Sequence, residues 1–449
     1  MIYEIFVRSF RDSNGDGIGD LNGISQSVDY LKEIGCSYVW ITPIFASPSF
    51  HGYDISDFLS VNPCFGTIDD FNNMVQTLHR NGIRVILDIP LNHTSSQHEW
   101  FQKALLGDDV CKSRYVWANS STNIEEVRPW DNVPVWHSSL QGYYHGTFGG
   151  SMPDLDYSNS FVLEYMLDVM KFWVKRGADG FRFDAAKHIF EYDHQKNIDF
   201  WRNVSECLKA VNPDLMLIGE VWDHPEVVKS YSQAIGYCFS FDLASLIKEA
   251  ILKGDPQILL GAISRNSLTH SVLFLTNHDA SRLATQMKDE RLRKLAFQIL
   301  FTLPGVPCLY YGEELGMKGE YSPFFTEHVI EPFPWYEALH GKGQTMWKAV
   351  MYNTGFSGVS VEENRKRENS LFWRIKSLAR FRKLNGWIQN ALVENYRCEG
   401  PLLIYDIHGA RKISVIHNFS DSPISCQESA VGPWSTLVIA ADEHIVFSD

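Results

Sequence analysis

The sequence predicts an α/β protein: a closed (β/α)8 TIM barrel with an irregular insertion after its third strand and an antiparallel β domain at its C-terminus. Three observations lead there. Short runs rich in β-branched and aromatic residues alternate with longer segments of helical period, the pattern of βα units around a parallel sheet. Residues 94–157 interrupt that alternation with Trp, Tyr, Asn, Ser and Gly and no sustained period, over a length too great for an ordinary loop. The tail from residue 387 alternates with period two, in LLIYDI, KISVIHNF and STLVIA.

Taken in order, strands are expected at residues 3–9, 38–44, 84–89, 180–184, 215–221, 238–242, 272–276 and 307–311. Eight parallel strands close a barrel. Helices fill most intervals; residues 161–176 (FVLEYMLDVMKFWVKR) repeat apolar residues at helical spacing and are followed by Gly177. A last barrel helix is read at residues 371–382. The expected domains are a catalytic barrel of residues 1–93 and 158–386, an inserted domain of 94–157, and a C-terminal β domain of 387–449.

Composition narrows the partners. A formal charge of -14 argues against nucleic acid, which is bound by clustered Lys and Arg. No apolar run approaches the roughly twenty residues that span a bilayer, so no membrane partner is expected. The 8 Cys show no C-x-x-C or other metal-ligand spacing and read as reduced thiols. Strand-like sequence begins at Tyr3 with no apolar leader before it, and a cytoplasmic protein is expected. The 13 Trp are generous. Core packing is their ordinary use, and stacking on sugar rings is the other. The oligomeric state is not legible in the sequence.

In such a barrel the active site lies at the carboxyl ends of the strands. Strand three, VILDIPLNH, presents Asp88, Asn92 and His93; strand four, GFRFDAAKH, presents Arg182, Asp184, Lys187 and His188. Strand five ends in IGEVWD with Glu220, and strand seven in FLTNHD with Asn277, His278 and Asp279. A single carboxylate at a strand end is more often a helix cap or an ion-pair partner. Several converging with an Arg suit glycoside hydrolysis, which needs one carboxylate as nucleophile and another kept protonated as general acid. Arg182 shares a strand face with Asp184, two residues on, and is expected to keep it ionised.

After the first strand, DSNGDGIGD alternates oxygen donors as a calcium loop does: Asp12, Asn14, Asp16, the carbonyl of Ile18, and Asp20. An EF-hand would place a Glu where Gly23 stands, and would enter the loop from a helix. The alternative is a Gly-rich Asx turn without metal.

The segments DIPLNH, GFRFDAAKH, GEVW and TNHD, in this order, resemble the four signature regions of the α-amylase family of retaining glycoside hydrolases. YEIFVRSF and PGVPCLYYGEELGM extend the likeness over nearly the whole chain, which is most similar to the bacterial 4-α-glucanotransferases and intracellular amylases. IEPFPWYEALHGKGQTMWKAV is similar to the glucanotransferase branch. The resemblance implies Asp184 as nucleophile, Glu220 as acid/base, and Asp279 holding the distorted ring by its hydroxyls. It implies Arg182 beside the nucleophile, His93 and His278 bonding the reacting sugar, and Tyr53 in SFHGYDISDF as its stacking platform, with Asp54 next to it. Arg282 is expected on the same sugar, and Lys187 and His188 on the acceptor side. MPDLDY resembles a further signature, with Asp156 where Asn is common, which leaves Asp154 a metal or structural candidate. The loop of residues 12–20 resembles the calcium site of barrel-type α-glucosidases and glucanotransferases. A second calcium, at Asn92 and the carbonyl of His188 in many amylases, is not assigned.

The implied activity is retaining cleavage of α-1,4-glucosidic bonds in maltooligosaccharides or starch, with Ca2+ as cofactor. The glycosyl group passes to a sugar acceptor (4-α-glucanotransferase) or to water (α-amylase), and Trp117, Trp130 and Trp136 are expected to hold the acceptor. The alternatives within the fold are an α-glucosidase or other exo-acting enzyme: an α-1,6-glucosidase, a trehalose-forming isomerase or a sucrose phosphorylase. From another class comes a non-catalytic barrel, which should have lost one of the three carboxylates. All three are present.

Overall fold

Eight parallel strands close on one another: Ile2–Ile5, Tyr38–Ile41, Arg84–Pro90, Gly180–Asp184, Met216–Gly219, Tyr237–Phe239, Ser271–Leu273 and Val306–Tyr310. These are strands one to eight below. Each bonds to the next in sequence, and strand eight returns to strand one in the register Ile2↔Cys308. This computed structural model describes residues 1–265, 268–426, 429–440 and 443–448. The predicted barrel is present with every expected strand.

Period-two alternation decides what each strand residue faces. Ile2, Trp40, Ile86, Ile218, Phe239, Val272, Val306 and Cys308 fill the barrel interior. Tyr3, Ile5, Val39, Ile41, Val85, Leu87 and Phe181 pack outward against the helices. Glu4, Asp88 and Arg182 share the parity of the inward set, one step nearer the carboxyl ends, and each is only 1% exposed. Asp88 and Arg182 are register partners on strands three and four, as Glu4 and Trp40 are on strands one and two.

Several strands are shorter than expected: strand two ends at Ile41, strand five runs Met216–Gly219 and strand seven ends at Leu273, and in two places a helix takes over. Strand one stops at Ile5, and Val7–Phe10 forms a helical turn. IYEIFV is apolar almost throughout and carries no stop signal; the turn is fixed by distant packing, with the Phe10 ring 5.1 Å from Phe333 and 5.3 Å from Trp335. Strand six stops at Phe239, and the helix Phe241–Lys253 begins where strand was expected.

The helix Ser160–Lys175 shows why the outer layer forms. Asn159 caps it by accepting the amide of Phe161 at 3.1 Å, and Val162, Met166, Val169, Met170 and Trp173 are its buried stripe. Gly177 follows at φ +98°, where a Cβ would also lie 2.7 Å from Cγ1 of Val75, so glycine is required twice over.

Between strands three and four lie the helices Glu99–Leu105 and Asp109–Lys112 and the hairpin of Trp136–Ser139 with Gly142–His145. The chain then returns to the barrel rim through the amide of Leu155 on the carbonyl of Asn92. After the helix Leu371–Leu384, an antiparallel five-stranded sheet runs Leu392–Glu399, Leu402–His408, Lys412–Asn418, Thr436–Ala440 and Glu443–Phe447. Its three middle strands are those read from LLIYDI, KISVIHNF and STLVIA, and they are mostly buried along their length instead of on alternate residues. The first, LVENYRCE, is a mostly exposed edge strand whose polar content hid it. Residue 449, where the C-terminal domain was expected to end, lies outside the described residues. No helix among the described residues is long and apolar enough to cross a membrane.

Candidate active site

The floor of the site is one guanidinium. Arg182 donates through Nη1 to Asp88 at 2.8 Å and to Asp184 at 2.6 Å, and through Nη2 to Glu220 at 2.7 Å. Asp184 is the last residue of strand four and Glu220 the first after strand five, so the two carboxylates are brought side by side by adjacent strands. Both reach the cleft, with side chains 16% and 18% exposed, whereas Asp88 is sealed beneath them. Glu220 also accepts the amide of Ala185 at 3.1 Å, presented by a left-handed turn at φ +47°.

Three carboxylates around one cation leave excess negative charge in a poorly hydrated place. Burial raises the carboxyls of Asp184, Glu220 and Asp88 above their usual range, against the pull of Arg182 in each case. Asp184 and Asp279 push Glu220 further in the same direction. Arg182 opposes that rise at Asp184, as its place two residues away on the same strand face led one to expect, although its charge is divided among three carboxylates.

Asp279 stands opposite, on the loop after strand seven, with 56% of its side chain exposed to the cleft. Despite desolvation there, His278 at 3.0 Å draws it below the usual carboxylate range. His278 bonds Glu4 through Nδ1 at 2.6 Å, and its Nε2 lies 2.7 Å from the Tyr53 hydroxyl. Tyr53 donates to Asp88 at 2.9 Å, and its ring is stacked on that of His278 at 5.5 Å and 17°. His93 meets the backbone carbonyl of Tyr53 at 3.2 Å, is held neutral-leaning by burial, and leaves Nδ1 with no partner among the described residues.

Sequence reading thus placed Tyr53, His93, Arg182, Asp184, Glu220, His278 and Asp279 in one cluster, and the structure assembles them. Beyond Glu220, Lys187 donates to the carbonyl of Trp222 at 2.7 Å and to Asp223 at 3.2 Å. His188 bonds Glu191 at 2.8 Å, its ring edge-on to Trp130 and Phe148, each at 5.6 Å.

Four expectations are corrected. Arg282 is wholly buried, stacked over Tyr310 and Tyr311, and donates to the backbone carbonyls of Val329 and Tyr311; it braces the strand-eight loop. Asp54 accepts the hydroxyls of Ser47 and Ser49 and pins its own loop. Trp117 has Phe101 on one side and Lys112 on the other, and Trp136 donates to Glu126 and meets the edge of His145. Of the three insertion tryptophans only Trp130, 52% exposed, is placed against His188. Asp154, which the sequence left as a metal or structural candidate, takes donors from Asn92, His145 and Thr147 and ties the hairpin to the end of strand three.

Sequence reading missed Trp222, two residues past Glu220. It is 71% exposed and stacked on Phe241 at 5.1 Å and 6°. The signal was a Trp beside a strand-end Glu. It also missed Glu4, which looked like one more strand residue.

In the loop of residues 12–20 each side-chain oxygen accepts a nearby amide: Asp12 from Asn14, Gly15 and Gly17, Asn14 from Asp16, and Asp16 from Ile18. Asp20 accepts from Ser13 and Gly23. Gly15 and Gly17, both at φ +89°, permit the coil. The set is all oxygen and suits a hard cation, with carboxylates as only three of its five ligands. No three His, Cys, Asp or Glu side chains among the described residues converge as metal ligands by themselves.

The sequence profile described as Alpha amylase, catalytic domain matches residues 4–391. The chain is 42% identical to the 4-alpha-glucanotransferase of Thermotoga neapolitana over 447 residues, covering 97% of this chain and 99% of that one. It is 36% identical to Alpha-amylase 3 of Dictyoglomus thermophilum, over 94% and 84% of the two chains. Among solved structures, the alpha-amylase from H. orenii superposes with a TM-score of 0.89 at 35% identity, covering 98% of both chains.

Proposed function

The chain belongs to the alpha-amylase family, and on that premise we propose that it is a 4-α-glucanotransferase that cleaves α-1,4-glucosidic bonds with retention and passes the glycosyl group to a sugar in preference to water. It is an enzyme acting on α-glucans. The observation that carries the mechanism is the fork of Arg182, which sets Asp184 and Glu220 side by side on adjacent strands.

Asp184 attacks the anomeric carbon while Glu220, whose carboxyl is raised by burial and by Asp184 and Asp279, gives a proton to the departing glycosidic oxygen. The glycosyl ester on Asp184 is then opened by an acceptor hydroxyl, whose proton returns to Glu220. Asp279 takes the ring hydroxyls, Tyr53 stacks on the ring, and the unpartnered Nδ1 of His93 suits a further hydroxyl.

Transfer over hydrolysis is supported by what lies past Glu220. Water is present at about 55 M, so an acceptor prevails only when held in near-attack geometry, where effective molarities reach roughly 10⁵ M or more. Trp222 on one side, exposed and braced by Phe241, and Trp130 with His188 on the other offer two aromatic surfaces for that sugar. Maltotriose alone is expected to give a ladder of shorter and longer α-1,4 oligosaccharides, with reducing ends rising more slowly than bonds are exchanged. Only shorter products, with one new reducing end per bond cut, would make the protein an amylase or α-glucosidase.

The loop of Asp12, Asn14, Asp16, Ile18 and Asp20 is proposed to hold calcium, which when bound would fix the strand-one loop. A ligand of the folded state stabilises it by mass action. Chelation is therefore expected to lower Tm by several degrees, and Asp16→Ala, at an exposed position, to abolish that shift. An unchanged melting curve, with no calcium in the purified protein by elemental analysis, would leave an Asx-turn loop. A cytoplasmic location is supported by the eight cysteines, all of which stand as unpaired thiols.

A further inference from the structure

We propose that Glu4, on the first barrel strand, is a positioning residue that holds His278 as a doubly protonated imidazolium and thereby fixes both the charge and the orientation of Asp279. The inference rests on the reading of Asp184, Glu220 and Asp279 as the reacting centre, and goes beyond it to a residue that no sugar can touch.

The argument is a count of protons. Nδ1 of His278 lies 2.6 Å from a carboxylate oxygen of Glu4, which is 1% exposed, so Nδ1 donates. Nε2 has two neighbours, the Tyr53 hydroxyl at 2.7 Å and the Asp279 carboxylate at 3.0 Å. The one hydrogen of Tyr53 goes to Asp88 at 2.9 Å. Both neighbours of Nε2 are then acceptors, and Nε2 must donate as well. With a proton on each nitrogen the ring is charged.

The charges around it agree. His278 is faced by Glu4 from strand one, by Asp279 beside it, by Tyr53 and His51 from the loop after strand two, by Asp88 from strand three and by Asp184 from strand four, while Arg182 of strand four acts on Glu4 and Asp279 on its two sides. Burial works against a cation, but Asp279 and Glu4 override it and hold the imidazole well above its ordinary range. Glu4 itself is raised by burial, with His278 and Arg182 opposing and Asp279 adding to the rise. The two groups compete for one proton. It rests on His278, because that ring has an anion on either side.

Parity explains how the sequence builds this. Glu4 follows Ile2 on the inward face, so the same alternation that fills the barrel with Ile2 sets an acid directly beneath the loop of strand seven. Without Glu4 the ring could turn or lose its second proton, and Asp279 would lose the cation that draws its carboxyl below the usual range.

The test is Glu4→Gln, which keeps the shape and an acceptor for Nδ1 but removes the charge. At neutral pH kcat/KM on maltotriose is expected to fall roughly 10- to 100-fold, the size of one lost charge-assisted hydrogen bond. The ratio to wild type should recover as pH falls and His278 is protonated by solvent, so the alkaline limb moves to lower pH. In a His278→Gln background Glu4→Gln should add nothing further. A loss equal at every pH, or one additive with His278→Gln, would make Glu4 a merely structural residue and overturn the proposal. Should Glu4→Gln fold poorly, Glu4→Asp retains the charge and is expected to keep the wild-type alkaline limb at reduced kcat; a displaced limb there overturns it equally. Failure of the underlying site assignment would show separately, as activity retained by Asp184→Asn.

Discussion

Asp184→Asn is expected to lower kcat on maltooligosaccharides by roughly 10⁴-fold or more, a rise in barrier of about 5 kcal/mol. The amide is nearly the same shape as the carboxylate but cannot form the glycosyl ester, so the first bond-making step is removed. The fold should survive. Arg182 keeps Asp88 at 2.8 Å and Glu220 at 2.7 Å, and the variant relieves charge crowding among three buried carboxylates. Circular dichroism and Tm close to wild type, together with lost turnover, constitute the expected result. Turnover within tenfold of wild type would remove Asp184 from the nucleophile's role.

Glu220→Gln separates proton donation from nucleophilic attack. General acid catalysis is worth about 10²- to 10⁴-fold, and all of it should be lost on a glucan, whose leaving alkoxide needs the proton. With a donor such as an α-glucosyl fluoride, the leaving group departs unaided and the glycosyl-enzyme should still form at a rate near wild type. Its breakdown by a sugar hydroxyl would then be slow, because no base is left to take the proton. Glutamine preserves the acceptor for Ala185 and Arg182, so the side chain should stay in place. An equal loss on glucan and fluoride would mean that Glu220 is not the acid.

The barrel was legible because its signal is local and repeated: inward and outward residues alternate within each strand, and each strand is separated from the next by a helix with its own period. The centre was legible because Asp184, Glu220 and Asp279 stand at strand ends, where the fold alone says to look. What escaped was set by contacts far apart in sequence. Strand one ends early because Phe10 packs on Phe333 and Trp335. Arg282 was read as a sugar ligand from its distance to Asp279 along the chain, yet its guanidinium turns onto Tyr310 and Tyr311. Glu4 and Trp222 became visible only once their partners, His278 and Phe241, were beside them.

The left-handed turn at Ala185 bears on how this site can drift. The group that touches Glu220 there is a peptide N–H, carried by every residue type except proline. Exchanging the side chain at 185 cannot delete the contact chemically; it can only disturb the angle that aims it. Inheritance at this position is therefore governed by backbone geometry: Gly or Asn, which accept φ +47° readily and add no charge to the crowded carboxylates, should be the tolerated replacements, whereas Val or Ile, though chemically as inert as alanine, should be purged.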